Sequence, residues 1–125
     1  MKKDEFGKPI CGESASKLGV RLSGARKDIQ IDKDGMVHPM TGGLSVTPDD
    51  PSSLPPEFIP YSKDGISKNP VFRLSESELV SNISFRRDPS KPNIHGFVEP
   101  SDVMAATTYQ EEIYQTAYSW EIHWE

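Results

Sequence analysis

Apolar residues alternate with polar ones in several short runs, and few runs exceed five residues. Leu18, Val20 and Leu22 alternate, which predicts a first strand over 18–22. Ile29 and Ile31 predict a second. Asp34-Gly35 is a strong turn signal, and Met36-Val37 restarts a strand after it. Gly42-Gly43 leads into the short apolar piece Leu44-Ser45-Val46. Further strands are predicted at Val71–Leu74, Ile83–Arg86 and Ile94–Glu99, the last stopped by Pro100, with a turn or short helix at Ser75–Leu79 and a loop from Asp88 to Asn93. Only one segment has helical spacing. Tyr109, Glu112/Ile113, Thr116/Ala117 and Trp120 recur at three- and four-residue steps, with Ser101 or Thr107/Thr108 as candidate caps. The order predicts an α+β fold, mainly β, with a C-terminal helix.

Between Thr47 and Pro60 stand Pro48, Pro51, Pro55, Pro56 and Pro60. Proline fixes φ and removes a donor, so this stretch is neither helix nor central strand. Leu54, Phe58 and Ile59 are spaced through it, which predicts a long Pro-rich loop packed on the body. Residues 1–17 are polar and rich in Gly, Ser and Lys, and read as a flexible N-terminal lead-in to a single domain over 18–125.

Composition narrows the picture. Hydrophobic residues are 34% of the 125, with 9 glycines and 11 prolines, so the core is lean and the loops many. The net charge of −5 disfavours a nucleic-acid partner, which favours a basic face. No run approaches the ~20 apolar residues of a membrane span. Asp4-Glu5 follows Met1-Lys2-Lys3 with no apolar stretch behind, unlike a secretory signal peptide. The single Cys11 allows no internal disulfide. A cytoplasmic working place is expected, with secretion into a target cell without a cleaved signal as the alternative.

Four features bear on chemistry. Gly42-Gly43-Leu44-Ser45 permits close approach of a ligand to backbone amides, but it lacks the Lys and spacing of a phosphate loop and reads first as a tight turn. His95, Phe97 and Glu99 share a strand face and frame a pocket, or else belong to an ordinary edge strand. Arg21 suits a phosphate or carboxylate clamp, or is a solvated strand residue. His38, His95 and His123 have no zinc spacing, and Asp32-Lys33-Asp34-Gly35 lacks the remaining ligands of a calcium loop, so no metal is expected. His95 and Glu99 with His38 suit acid–base work on RNA, a reading the charge disfavours.

Asp34-Gly35-Met36-Val37, Pro39 and Thr41-Gly42-Gly43-Leu44-Ser45-Val46, followed by His95-Gly96-Phe97-Val98-Glu99-Pro100, Met104, Tyr109 and Trp120, resemble the ADP-ribosyltransferase-like exported toxins of bacterial type VI secretion, or a bacterial branch near them. The resemblance implies a small split antiparallel sheet that grips NAD. It implies an NAD-dependent transferase toxin acting in the cytoplasm, with a cognate immunity protein as partner. Arg21, Gly42, Gly43 and Ser45 would then hold the cofactor, and Glu99 and His95 would be catalytic, the carboxylate stabilising positive charge on the sugar. The alternative is a non-catalytic interaction domain, an immunity or accessory protein that uses an acidic surface and the Pro-rich loop.

Overall fold

The computed structural model describes residues 1–13, 17–25, 27–48, 71–79 and 82–122. The expected Pro-rich loop lies outside them from residue 49 onward, as does His123. The described residues form an α+β fold, mainly β, of small antiparallel sheets and one C-terminal helix. The first sheet has the order β1 (Ile29–Ile31), β2 (Met36–Gly42), β7 (Met104–Ala105). The second has the order β3 (Leu44–Val46), β6 (Gly96–Pro100), β5 (Ile83–Arg87). The third pairs β4 (Phe72–Arg73) with β8 (Glu121–Ile122).

The helix α1 spans Ala106–Gln115 and buries Ala106, Tyr109, Gln110 and Ile113, which lie three, four and seven residues from the first and so form one stripe. It continues as a tighter turn over Thr116–Ser119. The expected Ser or Thr cap is absent. Ala105 stands at the cap position and the Ala106 amide donates to the Gly35 carbonyl, so the β1–β2 turn satisfies the helix start. At the other end the Thr116 hydroxyl donates to the Ile113 carbonyl and accepts from the Trp120 indole. Tyr109, Leu18, Ile29, Ile113, Val20 and Val37 are the largest fully buried side chains. Each contributes about 1.5–3 kcal/mol by leaving water.

The expected strand over 18–22 does not form. Leu18 and Val20 are buried as their alternation requires, but the only ladder contact in that run is an isolated bridge from Leu18 to Cys11. Gln110 takes the place of a neighbouring strand. Its side-chain oxygen accepts from the Val20 amide at 2.9 Å, and its nitrogen donates to the Val20 carbonyl at 2.7 Å. A primary amide carries the same donor and acceptor as a peptide group, so it can replace one rung of a ladder. The first thirteen residues form a hydrogen-bonded ribbon. Ile10 donates to Lys2, Asp4 to Lys8, and the Lys8 ammonium reaches the carbonyls of Tyr118 and Trp120. Their polarity marks a surface ribbon.

The sharpest irregularity lies in β2. Ile29 pairs with Gly42 and Ile31 with Val37, so two steps along β1 match five along β2. The surplus loops out at His38-Pro39-Met40-Thr41. Pro39 supplies the fixed φ, Met40 takes φ +66, and the Thr41 hydroxyl donates to the His38 carbonyl at 2.8 Å. This is the layout of a type II turn, whose third position favours glycine.

Candidate functional site

Pairing register decides which side chains meet on the second sheet. Ser45 and Arg86 both stand opposite Phe97, and Ser84 stands opposite Glu99. Directly opposed residues share a face, so Ser45, Phe97, Arg86, Ser84 and Glu99 occupy one side. His95, two residues before Phe97, packs its ring edge-on at 4.8 Å between centroids. The Arg86 guanidinium lies over the Phe97 ring at 5.1 Å, a cation–π distance.

Glu99 is 5% exposed. Its Oε1 accepts from Arg86 Nε at 3.0 Å and its Oε2 accepts from the Met40 amide at 2.7 Å. A carboxylate so deeply buried persists because both oxygens receive charge-compensating or backbone donors. The pair therefore ties the bulge of β2 to the centre of the second sheet. The His95 ring is held at Nδ1 by Asp88 at 2.8 Å. A carboxylate only accepts, so Nδ1 carries the proton in this contact. That hydrogen bond, followed by those from the Ser90 hydroxyl and amide, pulls the Asp88 carboxyl down to about 2. Asp32 is held low in a similar way by His38 and by the Met36 and Asp34 amides.

Arg21 and the glycine pair belong to a second cluster, organised by Asp28. The Arg21 amide donates to Asp28 Oδ2 at 2.6 Å, and its guanidinium reaches Asp28 at 3.0 and 3.3 Å. The Gly43 amide donates to the Asp28 carbonyl at 2.8 Å. The space beside both glycines is filled by the protein's own chain. A Cβ on Gly42 would stand 2.3 Å from the Asp28 carbonyl oxygen, and one on Gly43 would stand 2.6 Å from that of Val98. Tyr109 closes this junction. Its hydroxyl donates to the Val98 carbonyl and accepts from the Leu44 amide, and burial raises its pKa.

Ser45, His95 and Glu99 are thus brought to one sheet face, while Arg21, Gly42 and Gly43 gather at Asp28. The Gly43 amide and the space beside both glycines are taken by this chain. The Arg21 guanidinium is drawn to Asp28 through Nε and one Nη while its side chain stays 39% exposed. Each oxygen of Glu99 accepts from one donor, and the exposed Ser45 hydroxyl has no protein partner among the described residues. Sequence reasoning takes Arg86 for an ordinary solvated strand residue and does not single out Asp88 or Asp28. Arg86 carried a signal, since it falls on the polar phase of the Ile83–Arg86 alternation, but its partner sits thirteen residues away across a loop.

Among the described residues no group of three or more His, Cys, Asp or Glu is placed to hold a metal ion, and no helix is long and apolar enough to cross a membrane. No family model, curated protein or solved structure matches the chain.

Proposed function

We propose that this chain is a non-catalytic interaction domain, of the kind that serves as an immunity or accessory protein. The carrying observation is the commitment of Glu99. A carboxylate that stabilises a cationic sugar must face that sugar, whereas this one is buried and bound by Arg86 and the Met40 amide. Further support comes from apolar side chains held in water. Met40 protrudes from its turn, and Phe6 and Tyr118 are exposed on two segments that Lys8 ties together. Aromatic anchors of this kind dominate protein interfaces. The charge of −5 favours a partner with a basic face.

A second reading, the NAD-dependent transferase, draws on one observation: Ser45, His95 and Glu99 share a face. A single experiment separates the two. The purified chain is incubated with NAD and nicotinamide release is followed, with a calorimetric titration beside it and Glu99→Gln as the control. The interaction reading expects neither release nor heat, and recovery of the chain from its source cells in a stoichiometric complex. Nicotinamide release by the wild type that a folded Glu99→Gln variant loses would overturn it.

A further inference from the structure

The His38–Thr41 turn places a strained residue at its tip and spends a buried carboxylate to hold it there. Met40 at φ +66 costs roughly 1–2 kcal/mol relative to a residue in an ordinary basin. Glycine would occupy the position without that strain, yet the chain carries a thioether that is 74% exposed. Strain that a surrounding network over-determines points to a use for the strained residue. The network is on both sides here: Thr41 closes the turn onto His38, and Glu99 holds the Met40 amide.

The other three methionines are placed differently. Met1, Met36 and Met104 are half-buried, and Met1 and Met104 pack against the core. We infer that Met40 is a selective and reversible oxidation site for hydrogen peroxide. A lone pair on the Met40 sulfur attacks one peroxide oxygen. The S–O bond forms, the O–O bond breaks, and the second oxygen leaves as water after a proton shift. Sulfur loses two electrons and peroxide gains them. The sulfoxide returns to the thioether when a dithiol reductant gives two electrons, becoming a disulfide while the oxygen leaves as water. The product carries a polar S=O at the tip of a turn held by its backbone, by Thr41 and by the His38–Asp32 contact, while the Met40 side chain itself is exposed, so the fold tolerates the change. This inference stands apart from the interaction reading and needs no partner. Cys11 is exposed as well, but partial desolvation of its thiol and the nearby Asp4 raise its pKa, and its oxidation is read on a separate peptide.

The test treats the full native chain with dilute hydrogen peroxide and follows each methionine by peptide mass spectrometry. The Met40 sulfoxide is expected to form at least about five-fold faster than that of Met1, Met36 or Met104. Unfolding the chain in urea should bring the four rates together. The singly oxidised protein should keep its melting temperature to within about 2 °C, since no core contact changes. A mixture of both epimer-specific methionine sulfoxide reductases with dithiothreitol should restore it. Met40→Leu should abolish the fast phase and leave the other three rates unchanged. Equal native rates at Met40 and any other methionine would overturn the inference, as would a sulfoxide that unfolds the protein or resists both reductases.

Discussion

Replacing Glu99 with alanine removes one carboxylate and leaves two donors behind. The Met40 amide loses a 2.7 Å acceptor at a turn already strained by its positive φ. The Arg86 guanidinium loses its 3.0 Å partner, and its side chain is only 23% exposed, so water compensates in part. Breaking a buried ion pair from one side costs about 3–5 kcal/mol. Partial access of water to Arg86 places Glu99→Ala near the lower limit, at about 3 kcal/mol. Buried Trp120 offers a fluorescence signal for urea unfolding. The loss should appear as a lower midpoint with unchanged slope, and as a fall in Tm of roughly 10 °C for a domain of this size. The double variant Glu99→Leu with Arg86→Met removes both charges of the pair but still leaves the Met40 amide without its acceptor. It should recover part of the loss, the share due to the stranded guanidinium, because an apolar replacement of a buried pair is often near neutral. A Glu99→Ala cost below about 1 kcal/mol would refute the reasoning, as would a double variant no more stable than the single one.

Three further outcomes follow from the same geometry. Gln110→Leu strands the buried amide and carbonyl of Val20, and should cost about 3 kcal/mol by urea denaturation. Gly43→Ala forces a Cβ to within 2.6 Å of the Val98 carbonyl and 3.0 Å of the Tyr109 hydroxyl at φ +149, and should cost more than about 2 kcal/mol by the same assay. Asp88 is depressed from its ordinary 3.8 to about 2 in the fold, so its contribution is present above about pH 4 and is lost as pH falls through about 2. Asp88→Asn should therefore flatten stability against pH across that window, and an unchanged acid limb would show that the His95 contact contributes nothing.

Local pattern alone placed most short strands and the one helix of this chain, because alternation and helical spacing report which side chains leave water. It located Ile29–Ile31, the strand from Ile83 and a helix through Tyr109 and Ile113, while the burial of Ala106 and Gln110 on the same stripe was not marked. It also put His95, Phe97 and Glu99 on one face, to which the strand register adds Ser45. Only the tertiary structure decided what Glu99 touches, since Met40 and Arg86 reach it from different strands. The same holds for 18–22, where burial followed the alternation but a helix side chain, not a strand, met the backbone of Val20. The physical reason is one of range. Burial preference is a property of each residue and repeats along the chain. Hydrogen-bond partners are chosen across it, and Asp28, Glu99, Tyr109 and Gln110 acquire their roles only after the sheets and helix have closed around them.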